Sequence, residues 1–144
     1  MKTHLNLPTT DLSQSVAFYG TLLGIKPLKV YHDYALFVSE DPGLELALSL
    51  AGTVKPGETT HYGLAVENVP AVENAVERLR SAGLVTDVQL DDVCCYARQT
   101  KVWTTDPDGR RWEIYTVLEE TAVRDNDATQ CCAGEQSDDS CCAA

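Results

Sequence analysis

All six cysteines of this 144-residue chain stand in adjacent pairs. Cys94-Cys95 lies in the stretch Asp92-Val93-Cys94-Cys95-Tyr96, while Cys131-Cys132 and Cys141-Cys142 fall within the last fourteen residues. A disulfide between neighbours closes a strained ring that joins nothing distant, so it restrains little of the unfolded chain. Two thiolates side by side instead make a pincer for a soft, thiophilic metal or metalloid. A second set of residues suits a harder ion. His4, His61 and Glu113 supply two imidazoles and a carboxylate, the donors of facial non-haem Fe(II) centres that leave positions open for O2 and substrate. The same donors accept Zn(II), Ni(II) or Mn(II), so the set does not identify the metal.

These side chains need elements to position them, and the chain supplies two similar halves. In the first, Thr3–Leu7 alternates like a strand, Asp11 and Gln14 read as a capping pair, Leu12, Val16, Tyr19 and Leu23 share a helical face, and Gly24 ends the helix. Short strands are expected at 28–31, 35–39 and 44–50. The second half repeats the order: a strand at 60–67, a helical stripe of Val72, Ala75, Val76 and Leu79 after Pro70, a stop at Gly83, and strands at 85–90, 99–105 and 111–118. His4 and His61 each take the second position of a first strand, and Leu44-Glu45-Leu46 corresponds to Trp112-Glu113-Ile114. From Gly24 to Asp41 is 17 residues and from Gly83 to Asp106 is 23, so the second half carries an insertion around Cys94 and Cys95, expected as a loop.

Strand parity assigns faces. His4 and Asn6 oppose Leu5 and Leu7. His61, Gly63 and Ala65 oppose Tyr62, Leu64 and Val66, while Glu113 and Tyr115 oppose Trp112 and Ile114. One face is apolar and suited to packing under helices; the other carries the ionisable groups. Two such sheets curled together would gather His4, His61 and Glu113 in one cavity. The reading is an α+β domain over residues 1–120, built of tandem β-α-β-β-β modules at about 1–52 and 58–120. An acidic, cysteine-rich flexible tail is expected over 121–144, because from Arg124 onward there are five acids, one base and no large apolar residue.

Composition narrows the partners. A formal charge of −11 argues against nucleic acid and against an anionic membrane. No apolar run approaches a membrane span and the first residues carry no apolar signal region, so a cytoplasmic protein with reduced thiols is expected.

The duplicated modules with His4, His61 and Glu113 resemble the vicinal oxygen chelate superfamily of glyoxalase I, extradiol dioxygenases and bleomycin- or fosfomycin-resistance proteins. The resemblance runs from about Met1 to Leu118 and includes Asp11–Gly24 and Trp103–Glu113. Cys94-Cys95-Tyr96-Ala97, followed by Lys101-Val102-Trp103, resembles more narrowly the C–As bond lyases that demethylate trivalent organoarsenicals, and the related cadmium-induced proteins. That resemblance implies Fe(II) held by His4, His61 and Glu113, with Ni, Co, Zn or Mn able to substitute. It also implies O2 as co-substrate, Cys94 and Cys95 holding the arsenic of a substrate such as methylarsonous acid, and release of arsenite. A monomer could carry both modules of a site, and homodimers are common in the superfamily.

Other readings stand beside it. Glu45 occupies the position where glyoxalase I enzymes place a fourth ligand, which would suit an isomerase, or it is a polar wall residue. A non-enzymatic protein sequestering cadmium or arsenite would also use Cys94-Cys95. Tyr96 and Tyr115 are candidates to line the pocket or to pack as aromatics. Lys101 is a candidate cation near the thiols, with a solvated surface position expected, and His32 is expected in solvent. Cys131, Cys132, Cys141 and Cys142 are read as capturing a thiophilic ion and passing it on, as sequestering it, or as serving a regulatory disulfide.

Overall fold

The computed structural model describes residues 2–41, 43–57 and 60–124. In chain order its elements are β1 (Thr3–Thr9), α1 (Leu12–Leu23), β2 (Lys29–Val30), β3 (Tyr34–Ser39), β4 (Leu44–Leu50), β5 (His61–Ala65), α2 (Val69–Ser81), β6 (Asp87–Cys94), β7 (Ala97–Thr105) and β8 (Arg111–Glu120). Each half is therefore β-α-β-β-β and the class is α+β. The strands form two four-stranded mixed sheets, ordered β1-β4-β3-β2 and β5-β8-β7-β6. Within each sheet the first and last strands of the module run parallel and the other pairs antiparallel.

The helices form where their end signals place them. The Asp11 carboxylate accepts from the Gln14 backbone N–H and from its side-chain amide, both at 2.9 Å. Gly24 closes α1 at φ 68°, a left-handed conformation that a residue without Cβ adopts freely. Asn68 caps α2 through Ala71 N–H at 3.0 Å, and Gly83 lies just beyond its end at φ 76°. The buried side of α1 is Leu12, Ser15, Phe18, Tyr19 and Leu22. Val16 and Leu23, expected on that face, are only half-buried, because α1 rolls to seat Ser15 against Thr9 at 2.6 Å.

One apolar core joins the modules on the helix side. Tyr19, Leu22, Phe37, Leu46 and Leu48 from the first meet Val72, Leu79, Val102 and Trp112 from the second. Trp112 stacks on Tyr62 at 4.9 Å and meets Tyr19 edge-on at 5.7 Å. A polar seam crosses the same boundary. The Tyr19 hydroxyl donates to Asp106 at 2.6 Å, and the Trp112 indole N–H donates to Tyr19 at 3.3 Å. Arg110 donates to Asp106 at 2.8 Å and to the Pro8 carbonyl. The Thr10 backbone N–H and hydroxyl donate to Asp108 at 2.9 and 2.8 Å. Burial, then the Asp106 carboxylate, pushes the Tyr19 phenol well above its ordinary range, so it stays a donor. Burial opposes ionisation of Asp108, but hydrogen bonds from Thr9 and Thr10, with Arg110 beside it, hold its carboxyl below the usual value.

The insertion in the second module is strand, not loop. Strands β6 and β7 have 8 and 9 residues, against 2 and 6 for their counterparts β2 and β3. The extra residues lengthen a hairpin whose tip is Cys95-Tyr96. No helix among the described residues is long and apolar enough to cross a membrane. Of the tail expected over 121–144, residues 121–124 are described and hydrogen-bond to the hairpin turn, with Thr121 N–H donating to the Tyr96 carbonyl at 2.8 Å, while the remainder, with Cys131, Cys132, Cys141 and Cys142, lies outside the described residues.

Candidate functional site

Alternation along β1 exposes His4 and Asn6 and buries Leu7. Because β1 and β4 run parallel in register, His4 lies directly opposite Glu45, with Nδ1 3.7 Å from Oε2. The second module also pairs an imidazole with a carboxylate, but differently. His61 Nε2 lies 3.5 Å from Glu113 Oε1. The residue directly opposite Glu113 is Gly63, however, while His61 lies opposite Arg111. With Glu45 and Glu113 aligned, His4 thus corresponds to Gly63, and His61 reaches its carboxylate along a diagonal. The two histidines are offset by two residues rather than equivalent, which keeps both on the open face because strand faces alternate with period two.

Gly63 explains the diagonal. A Cβ there would lie 3.0 Å from the Tyr115 ring, 3.2 Å from Glu113 Oε1 and 3.3 Å from its Cγ. The missing side chain leaves the space in which the carboxylate and the Tyr115 ring sit. Bonds of about 2.1 Å to one ion place adjacent donors about 3.0–3.4 Å apart, so His61 and Glu113 fit two positions of one metal with little movement. His4 and Glu45 fit two positions in the same way.

The pairs do not share a centre. Among the described residues, no group of three or more His, Cys, Asp or Glu is gathered to hold an ion. The expected cavity joining His4, His61 and Glu113 within one chain is therefore not formed. The modules join through the core under their helices and through the Tyr19–Asp106–Arg110 seam, leaving each open sheet face with two donors of its own.

The second pair has the more elaborate surroundings. Trp103 lies directly across from Glu113, and its ring meets His61 edge-on at 5.2 Å. The indole N–H donates to Gln89 at 3.2 Å, and the Arg111 guanidinium lies over the ring at 4.3 Å. Lys101 is not in solvent: it is 2% exposed, with Nζ 3.6 Å from Asp92 and 3.9 Å from Glu113. A buried ammonium needs such partners, since removing it from water unpaired is costly. Tyr115 lies opposite Lys101 on the same face. His32 is solvated as expected, with its side chain 91% exposed.

Cys94 ends β6 opposite Ala97, and Cys95-Tyr96 form the two-residue turn into β7. Both turn residues have positive φ, 57° and 67°, the pattern of a type I′ hairpin that usually selects Asn-Gly. The Cys94 and Cys95 sulfurs are thiols 3.2 Å apart. The Gln99 side-chain amide donates to the Cys94 carbonyl at 3.1 Å, bracing the tip. Tyr96 is 54% exposed at the apex. By register, Cys94 shares a face with Lys101 and Trp103. It lies opposite Ala97, whereas Glu113 lies opposite Trp103. Those six positions along β7 are roughly 20 Å, so the thiols and Glu113 occupy opposite ends of one face. Between them the ladders shift at Gln89/Asp92 and at Arg98/Gln99, and Asp91 has φ 53°.

Residues 3–114 match the Glyoxalase/Bleomycin resistance protein/Dioxygenase superfamily. Over 142 residues the chain is 37% identical to a protein of Bacillus subtilis (strain 168) named "Probable trivalent organoarsenical cleaving enzyme", covering 96% of this chain and 97% of that one. It is 36% identical over 144 residues to "Cadmium-induced protein CadI" of Mycobacterium tuberculosis (strain ATCC 25618 / H37Rv), covering 93% and 94% of the two chains. Among solved structures, a glyoxalase/bleomycin resistance protein/dioxygenase from Alicyclobacillus acidocaldarius superposes with a TM-score of 0.66 at 18% identity, over 83% of this chain and 92% of that one. At that identity the likeness concerns the fold.

Proposed function

The chain belongs to the glyoxalase/bleomycin resistance protein/dioxygenase superfamily, and from that premise we propose that it is an Fe(II)- and O2-dependent C–As bond lyase converting trivalent organoarsenicals such as methylarsonous acid to arsenite. The observation that carries the reading is the pair of thiols 3.2 Å apart at the hairpin tip. With sulfur bonds of about 2.3 Å, that separation corresponds to an angle of about 90° at a bridging atom. Such an angle suits a pyramidal centre with a lone pair, such as trivalent arsenic, better than a tetrahedral Zn(II) or Cd(II). The similarity to the organoarsenical-cleaving protein of Bacillus subtilis supports the same substrate class.

Methylarsonous acid has two exchangeable oxygens. The Cys94 and Cys95 thiols displace both as water and leave the methyl group on arsenic. Exposure of the tip gives the substrate access, and the ladder irregularities between tip and Glu113 are where the hairpin bends to deliver the adduct. His4, His61 and Glu113 are the proposed metal ligands. Fe(II) held there would supply O2 activation for cleavage of the C–As bond, one O2 being consumed as one oxygen goes to arsenic and the methyl carbon leaves as formaldehyde. Lys101 balances the charge of Glu113, and Trp103 walls the pair on the β7 side, with its ring edge-on to His61. Holding both reactants on one face converts an encounter into an intramolecular event.

The separation of the two donor pairs favours a homodimer over a monomer, since a second copy can set its His4–Glu45 pair against the His61–Glu113 pair of the first. The pairing of Glu45 with His4 also favours a second reading, a four-donor site of the kind a glyoxalase-type isomerase would use. One assay separates the classes. Anaerobically reconstituted Fe(II) protein is given methylarsonous acid, and arsenite is measured before and after air is admitted. Oxygen-dependent, multiple-turnover release is expected. Stoichiometric binding without release would instead mark a sequestration protein.

A further inference from the structure

Four arginines spend their guanidinium donors inside the fold. Arg98 donates to Glu119 and Asp91, Arg110 to Asp106 and the Pro8 carbonyl, Arg78 to the Thr21 and Leu22 carbonyls, and Arg80 to the Thr86 hydroxyl. Arg111 is different. Among the described residues its guanidinium makes no hydrogen bond and no ion pair. It is held by the face of Trp103 instead, 4.3 Å from the ring centre. That attraction is between charge and ring quadrupole, so it fixes the planar fork without using an N–H. All five donors stay available.

The place where they are available is the His61–Glu113 face. Arg111 stands directly opposite His61 across the β5–β8 ladder and shares the open face with Glu113 two residues on. Trp103 is itself fixed, by its N–H bond to Gln89 at 3.2 Å and by the His61 ring edge at 5.2 Å. Both contacts share one indole, so guanidinium and imidazole are separated by less than 4.3 and 5.2 Å taken together. The acids on this face are committed elsewhere: Glu113 to His61 and Lys101, and Asp87 to the Gln89 amide at 3.3 Å. In a chain of 22 acidic and 11 basic residues, a guanidinium fixed in position and left without a carboxylate is set for an acceptor from outside.

We propose that Arg111 is a specificity residue that receives an anionic substituent on the organic group of the arsenical, so that aryl arsenicals bearing a ring carboxylate bind in preference to uncharged ones of the same shape. The inference rests on the proposed role of this face as the place where the C–As bond is broken. Cys94 and Cys95 replace the two oxygens on arsenic, so the organic group is what the clamp presents to the His61–Glu113 pair. A carboxylate on the far side of a phenyl ring lies roughly 6 Å from arsenic by ordinary covalent dimensions, inside the limit that the Trp103 contacts set. It meets the fork there and accepts two parallel N–H bonds. The contact is remote from the breaking bond and is made equally before and during the reaction, so it adds to affinity and leaves the chemical step unaltered.

The test uses full-length, fully reduced, Fe(II)-loaded protein without oxygen, so that binding is read without turnover. Calorimetry compares 4-carboxyphenylarsonous acid with 4-carbamoylphenylarsonous acid, which has the same shape and no charge. The carboxylate is expected to bind about tenfold more tightly. In Arg111→Met, which keeps an unbranched stem against Trp103, that preference should vanish or reverse, because a net charge of −11 repels the anion. Arg111→Lys keeps the charge without the fork and should retain a preference of about threefold. A merely structural role would move both affinities together. An unchanged ratio in Arg111→Met therefore overturns the inference, as do equal affinities in the unaltered protein. Air is then admitted and arsenite measured: the advantage of the carboxylate should appear in KM with kcat unchanged. An Arg111-dependent binding preference with no arsenite from either compound would remove the lyase reading and leave the anion subsite standing. Release from both compounds at equal kcat/KM would overturn the subsite and leave the lyase reading standing.

Discussion

The two modules share an element order and a His–Glu pair, yet they spend their residues differently. In the first, His4 faces Glu45 squarely, the carboxylate is 42% exposed, and its β3 neighbour is Val38. In the second, Glu113 is 12% exposed, faces Gly63, and is surrounded by His61, Trp103, Lys101 and Tyr115. The second module also carries the long hairpin, where the first has a short one. Both halves pair an imidazole with a carboxylate, but from strand positions that do not correspond, and only the second buries its carboxylate among polar and aromatic neighbours and carries the long hairpin.

The comparison can be broken most forcefully at the hairpin. A Cys94→Ser/Cys95→Ser variant removes what the second module has and the first lacks. Arsenite release in single-turnover and steady-state assays should fall by at least about 100-fold, because the substrate is no longer held beside its reaction partner, while bound iron is unchanged. Unchanged activity would remove the thiols from the mechanism. Next in size is the contrast between the carboxylates. Glu113→Gln should weaken Fe(II) binding, measured by calorimetry, about 100-fold, and Glu45→Gln less than about threefold if only three protein ligands serve. Equal losses would erase the asymmetry and move the chain toward the four-ligand isomerase reading.

A smaller effect tests why the second half uses a diagonal. Gly63→Ala puts a Cβ against the Glu113 carboxylate and the Tyr115 ring. Metal affinity should fall about tenfold, with thermal stability lowered by overpacking of about 1–3 kcal/mol. An unaltered affinity would mean that the space opposite Glu113 is not what sets its position. The smallest effect concerns the seam. The Asp108 carboxyl titrates below its ordinary 3.8 in the folded protein, so its stabilising contribution is fully present above that value and is lost as pH falls through the folded one. Thermal melts of the unaltered protein and of Asp108→Asn should differ at pH 6 and converge as pH drops below about 3.8. Curves that run parallel to the lowest pH would detach Asp108 from the joint between modules.

Element order, both helices, the Asp11 cap and the glycines that follow the helices, the open strand faces and the location of the insertion were legible because each rests on local periodicity or on a terminal residue, whereas the Asn68 cap of α2 came only with the structure. His4, His61, Glu45 and Glu113 could be placed on open faces by parity alone. What parity cannot give is register, so the two-residue offset between the histidines and the role of Gly63 emerge only from the β5–β8 ladder. Lys101 looked solvated because its partners Asp92 and Glu113 come from other strands. Cys94-Cys95 looked like a loop because Cys-Tyr carries none of the Asn-Gly signal of a tight hairpin. The gathering of both donor pairs into one cavity failed for a different reason: it depends on how whole modules pack, and the aromatic core under the helices decides that.

The Cys95-Tyr96 turn has one more consequence. A side chain in the left-handed region costs about 1–2 kcal/mol per residue relative to glycine, and two such residues are adjacent here. The hairpin is therefore a poorer folding nucleus than an Asn-Gly version of itself would be. A protein engineered for thermal resistance by installing that ideal turn would gain stability at the one place where a thiol has to be. Under the proposed clamp role, robustness and soft-ion capture compete at position 95, the turn residue that is also a thiol.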